Sequence, residues 1–266
     1  MKKTLVVLFL LFAELSYSQN YADSLNVFYK KISEEVKDSL KDIYSNKIID
    51  LTESLVNQKL INQTLIDSIM GISILMSDNQ KVVVVTYDVL YENNVLKYKG
   101  VVFNKINKTW YKNVLKDVGI KEKKLESFIG KPESWIGCRY YKMVTLKEKG
   151  RQKYILLSSN LSEKTISRKW IDVLLIDEKY DVYFGDNIFE AMPIKRYVLQ
   201  YNSKLVTSLK YNEKKQLIIF DHLVPTRVDL KNQFQFYSPD LSFDAFEIRN
   251  DKLKFLKDID ARNSEK

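Results

Sequence analysis

The chain has one histidine, His222, which follows Asp221 at the end of an apolar run, Leu217-Ile218-Ile219-Phe220-Asp221-His222-Leu223. Asp240 and Asp244 lie four apart in Tyr237-Ser238-Pro239-Asp240-Leu241-Ser242-Phe243-Asp244, and Asp258 and Asp260 lie two apart near the C-terminus. Even spacings put side chains on one face wherever the backbone is extended. Asp221, His222, Asp240 and Asp244 are therefore the candidate catalytic residues, as a general acid/base set. With Asp258 and Asp260 the same carboxylates could instead hold a hard cation. A blander reading has Pro239-Asp240 form a turn, the other carboxylates cap strand ends, and His222 pin a strand end by hydrogen bonds. Sequence adjacency of Asp221 and His222 makes no relay, because neighbouring strand residues point to opposite faces.

Other chemistries are excluded by counts. A single histidine rules out two-histidine zinc motifs and any thiolate–histidine zinc cluster. No Gly-x-Ser-x-Gly elbow offers a nucleophile, and none of the seven glycines forms a phosphate-cradling loop. The one cysteine, Cys138, lies among Trp135, Ile136 and Tyr140, which suits a buried, inert thiol. As a nucleophile it would need a lowered pKa and His222 beside it. No cofactor and no metal site is expected.

Basic and aromatic residues mix between 104 and 135. Lys105, Lys108, Lys112, Lys116, Lys121, Lys123, Lys124 and Lys131 surround Trp110 and Tyr111. Such a mixture can grip an anionic ligand, and it can equally be the solvated side of short connecting helices.

The elements that must carry these residues are legible in part. Leu25, Phe28, Ile32, Val36, Leu40 and Ile43 recur every three or four residues, with lysines and carboxylates between them. Ile61, Leu65, Ile69 and Ile72 repeat the spacing, so two or three amphipathic helices are predicted from Tyr21 to about Met76. They cover a face of the sheet or form a partner-binding arm. At Lys81 the character changes. Val82-Val83-Val84-Val85-Thr86-Tyr87 is β-branched, and Tyr91-Glu92-Asn93-Asn94 turns it into a second strand, 95–103. From Gly137 onward short strands are predicted at 138–146, 152–158, 170–176, 180–184, 195–201, 205–211, 216–221, 243–248 and 252–257. Lys147-Glu148-Lys149-Gly150, Asn212-Glu213-Lys214-Lys215 and Arg249-Asn250-Asp251 read as hairpin turns. The expected class is α+β: N-terminal amphipathic helices, then a mainly antiparallel sheet domain built as a meander, a sandwich or a barrel-like sheet.

Lys2 and Lys3, the apolar run Leu5 to Ala13, and the small residues Ser16 and Ser18 describe a secretory signal peptide cut after Ser18. The run is shorter than the ~20 residues that cross a bilayer. The expected domains are a signal peptide (1–18), a helical segment (19–77) and an antiparallel β domain (78–266), the last two either separate or a single unit. The chain is expected to be exported to the periplasm or the cell surface, with no transmembrane segment after cleavage. Cleavage removes two lysines and one glutamate, which lowers the net charge from +9 to +8. That charge favours an acidic envelope protein or an anionic glycan or lipid surface, or serves solubility alone. Nucleic acid is not an expected partner for an exported chain.

Several segments between about 150 and 263 resemble a family of uncharacterised exported proteins of Bacteroidota. They are Tyr154-Ile155-Leu156-Leu157, Lys169-Trp170-Ile171-Asp172-Val173-Leu174, Tyr183-Phe184-Gly185, Lys195-Arg196-Tyr197, Phe220-Asp221-His222-Leu223 with Pro225, Tyr237-Ser238-Pro239-Asp240 through Phe243-Asp244-Ala245-Phe246, and Asp258-Ile259-Asp260-Ala261-Arg262-Asn263. The family carries glycine where Ser238 stands and tyrosine where Phe243 stands. The resemblance implies compartment and source and brings no activity with it.

Two functions follow as expectations. The first is a non-enzymatic envelope protein that binds a partner or ligand through its β domain, in a groove of Tyr, Trp and Lys without convergent buried carboxylates. The second is a hydrolase-like or glycan-processing enzyme using Asp221, His222, Asp240 and Asp244, which requires those side chains to converge on one pocket.

Overall fold

The computed structural model describes residues 20–120, 125–146 and 152–260. The expected signal peptide, 1–18, and the turn at 147–150 lie outside the described residues. The class is α+β, with helices at the N-terminal end and three antiparallel sheets after them. The chain divides into two compact units between Asp117 and Val118.

In the first unit, helices α1 (20–34), α2 (Asp38–Asn57) and α3 (Gln63–Ser68) share a core with the sheet β1 (Ser73–Met76), β2 (Val82–Tyr91), β3 (Val95–Ile106) and β4 (Thr109–Lys116). The predicted stripe Leu25 to Ile43 is broken at 35–37. There a carboxylate oxygen of Glu35 accepts from the backbone N–H groups of Val36 and Lys37. The break resets the helical phase. Val36 and Ile43 turn out to solvent, and α2 buries Ile48, Ile49, Leu55 and Val56 instead. Tyr87 Oη donates to the Ser45 carbonyl and ties α2 to β2.

The sheet is a meander with order β1-β2-β3-β4. Asn93 and Asn94 take left-handed conformations in the β2–β3 turn, as asparagine can. Ser73–Met76 was expected to continue the helical pattern; the left-handed Gly71 ends that pattern and a strand follows. The short connecting helices considered for 104–135 are replaced at Thr109–Lys116 by the edge strand β4, reached through a two-residue turn with Asn107 left-handed. An edge strand is mostly solvated, so its lysines hide the alternation that would have revealed it.

The second unit holds two open sheets; neither closes into a barrel. In the first, β5 (Arg139–Leu146), β6 (Gln152–Asn160) and β7 (Ile166–Ile176) pair in order. Beyond them β8 (Val182–Phe184) and β9 (Tyr197–Asn202) pair with opposite ends of β7. The second is the meander β10 (Leu209–Asn212), β11 (Leu217–Pro225), β12 (Tyr237–Arg249) and β13 (Lys252–Leu256). Ile155, Leu157, Ile171 and Val173 of one sheet meet Ile218, Phe220 and Phe246 of the other in a shared core. The Tyr197 ring joins it, with its centroid 5.0 Å from that of Phe220 and 4.9 Å from that of Phe246. The opposite side of the β5–β7 sheet carries the buried Trp135, Tyr140, Trp170 and Phe184 around an Asp172–Arg196 pair.

Candidate functional site

Two places in the second unit gather polar side chains. One is a corner formed by a bulge in β12. Leu223 pairs with Pro239 and Asp221 with Phe243, so His222 alone faces Asp240, Leu241 and Ser242. Leu241 absorbs the excess with a φ of 72°. The Asp240 carboxylate closes the loop by accepting from the N–H and hydroxyl of Ser242. Bulges of this kind re-aim nearby side chains. Here the result is a contact between His222 Nδ1 and Asp244 Oδ2 at 2.7 Å. The other Asp244 oxygen accepts from the backbone N–H of Asp258 at 2.9 Å.

A carboxylate can only accept, so Asp244 assigns the Nδ1 proton and leaves Nε2 as the acceptor of the neutral ring. His222 keeps a third of its side chain exposed, while Asp244 is enclosed. Asp240 is exposed. The Ser242 hydroxyl and N–H, with His222 nearby, hold its carboxyl below the usual range. The arrangement supplies an oriented proton acceptor. Among the described residues no hydroxyl or thiol is hydrogen-bonded to it.

Asp221 goes elsewhere. Its Oδ2 accepts from the Ser208 N–H at 2.7 Å and the Thr207 hydroxyl at 3.0 Å. It lines a depression of about 600 Å3 with Tyr141, Ser159, Lys169, Ser208 and Lys210, and with Val206 and Leu209 at its apolar side. The volume falls within the range of small-ligand sites, about 300–1,000 Å3. His222, Asp240 and Asp244 are not among its lining residues, so the four expected residues do not converge there. Asp258 has a φ of 53°, which removes the extended spacing assumed for it and Asp260. Among the described residues no group of three or more His, Cys, Asp or Glu side chains comes together as a metal site.

The depression opens where the shared core ends. Lys169 continues the core-facing row of Ile171 and Val173, and its cross-strand partner Ser159 continues the row of Ile155 and Leu157. Tyr141 sits at the irregularity between Tyr140 and Lys142, and its hydroxyl donates to the Leu209 carbonyl at 2.9 Å. Lys169 Nζ donates to the Thr207 carbonyl at 2.6 Å and stands 5.8 Å from the Tyr141 ring centroid. Burial pushes the Lys169 ammonium below its ordinary pKa, Asp221 opposes the shift, and Lys210 adds to it. Burial pushes the Tyr141 phenol up.

Of this group the sequence reading singled out only Asp221. Lys169 carried a signal, since a lysine in the apolar period of a buried strand is out of place. Tyr141, Ser159 and Lys210 carried none, because three separate strands bring them in. Cys138, the other nucleophile considered, is fully buried. Burial and the Asp172 charge push its thiol well above its ordinary pKa, the reverse of activation.

Comparison with family models, with curated proteins and with solved structures returned no match to this chain.

Proposed function

We propose that this is an exported envelope protein that binds a ligand without transforming it, through the depression beside Asp221. The observation that carries the reading is the lining itself. Lys169, Lys210 and Tyr141 stand there with a single carboxylate, and paired carboxylates for acid/base work are missing from the lining. The basic net charge is of the sign that draws anionic envelope components to it. The N-terminal Lys-Lys, apolar and Ser-Tyr-Ser pattern supports export, and the likeness to exported Bacteroidota proteins supports the same compartment. No helix among the described residues is long and apolar enough to cross a membrane.

The test uses the chain from residue 19 to 266, immobilised, with the glycan fraction of the producing cell's envelope passed over it. Material retained and then recovered at its original length supports a binder. Recovery of shortened chains overturns that reading.

The His222–Asp244 contact favours a second reading, a hydrolase in which His222 Nε2 takes a proton from water. Shortened chains that disappear with His222→Ala would establish it. Shortened chains that persist with His222→Ala would remove it.

A further inference from the structure

The charge in the depression is unbalanced. Lys169 is half-buried, and its ammonium is bonded to a neutral carbonyl. Among the described residues no carboxylate lies within ion-pair distance, 4.0 Å, of Lys169 or Lys210. Asp221 shares the lining and supports Lys169 only from beyond that distance, so two ammoniums stand against one carboxylate, and a partly desolvated excess of positive charge is relieved by an anion brought from outside. Lys210 adds a second ammonium to the same lining.

The remaining groups narrow what carries that anion. Asp221 uses only Oδ2 within the protein; Oδ1 takes no hydrogen bond among the described residues. The hydroxyls of Ser159 and Ser208 likewise make none there. Asp221 needs a donor from the ligand, and the two serines can give or accept. A bare oxyanion offers Asp221 nothing but repulsion. A ligand with one anionic group and several hydroxyls satisfies both ends. Val206, almost fully exposed, gives an apolar side for the C–H face of a ring.

We infer that the depression binds an acidic sugar unit, with its carboxylate between Lys169 and Lys210 and its hydroxyls on Asp221, Ser159 and Ser208. Tyr141 and Thr207 position Lys169 in advance, which lowers the ordering cost of binding. This inference rests on the binding reading above and specifies its ligand.

The experiment is calorimetric titration of the chain from 19 to 266 with glucuronate, galacturonate and oligogalacturonide. Glucose supplies hydroxyls without charge, and inorganic phosphate supplies charge without a ring. Either uronate is expected to bind, weakening as salt is raised. The oligomer separates recognition of a chain from recognition of a free unit. Lys169→Met and Lys210→Glu should each cost about tenfold or more in affinity, the loss of one charge-assisted contact. Lys210 is exposed, so its variant keeps the test valid if Lys169→Met does not fold. Asp221→Asn should weaken the uronates and strengthen phosphate.

Equal binding of phosphate and uronate, or binding that ignores both lysine variants, overturns the inference. So does failure of every uronate to bind at millimolar concentration. If envelope glycans are still retained unshortened in that case, the binding reading survives and only the ligand class is wrong.

Discussion

Asp172 and Arg196 form an ion pair at 3.1 Å with both side chains enclosed, on the side of the β5–β7 sheet away from the shared core. Both groups make further hydrogen bonds within the protein. Tyr140 Oη donates to Asp172 Oδ2 at 2.8 Å, and Trp135 Nε1 donates to Tyr140 Oη at 3.2 Å. Arg196 also donates to the carbonyls of Leu125 and Phe184. The network joins β5, β7, β8 and the segment before β9.

Removing one member leaves a buried charge alone. Arg196→Met is expected to destabilise the second unit by about 3–5 kcal/mol. Urea unfolding followed by the fluorescence of Trp135 and Trp170, in a Trp110→Phe background, measures it. A loss within about 0.5 kcal/mol, as at an ordinary surface site, would contradict the assigned role.

Cys138 gives a pH dependence with a definite sign. Its thiol is held protonated in the folded chain by burial and by Asp172. In the unfolded chain it ionises from about pH 8.5. Above that value the unfolded state binds fewer protons than the native one, so stability falls as pH rises; below it the contribution is complete. Burial and Asp172 raise Tyr140 as well, which adds a fall in the same direction from about pH 10. Urea midpoints measured at about pH 7.5 and about pH 9.5 should drop, and Cys138→Ala should flatten the early part of the drop. Native protein should resist iodoacetamide at about pH 9, while unfolded protein reacts.

Leu241 is a strained and unburied residue. It is 90% exposed with a φ of 72°, at the bulge that faces His222. A left-handed conformation costs a branched side chain roughly 1–2 kcal/mol, and asparagine adopts it routinely. Leu241→Asn is therefore expected to raise stability by about 1 kcal/mol, since it removes no packing. A melting temperature that falls would show that the side chain has a contact the exposure does not reveal.

Gly71 connects α3 to β1 with a φ of 77°. A Cβ at this position would run into the Tyr29 ring of α1. Asn26 of the same helix brackets the segment, donating to the Ser68 carbonyl and accepting from the Met70 N–H. Gly71→Ala combines a disfavoured φ with overpacking and should cost about 1–3 kcal/mol. Hydrogen exchange at the amides of residues 65–76 should rise with it, and unchanged exchange would place the strain elsewhere.

The sequence by itself determined the α+β class, the hairpin of Val82–Tyr91 with Val95–Ile106, most strands after Gly137 and the burial of Cys138. These are local properties: β-branched runs, a helical period, asparagines that accept left-handed turns, an apolar neighbourhood. Edge strand β4 escaped because a solvated strand needs no apolar alternation, and its lysines imitate a loop. The division after Asp117 escaped because strand patterning does not say which neighbour a sheet will bury its face against. Only the tertiary structure decided which polar residues meet. Asp244 pairs with Phe220 across the ladder, and beside it the three-to-one bulge in β12 sets His222 against the Asp244 carboxylate. Asp221, adjacent to His222 in the chain, was sent instead to Lys169, Lys210, Ser159 and Tyr141. Convergence of that kind depends on strand register and sheet packing, and both are set by residues far from the ones that meet.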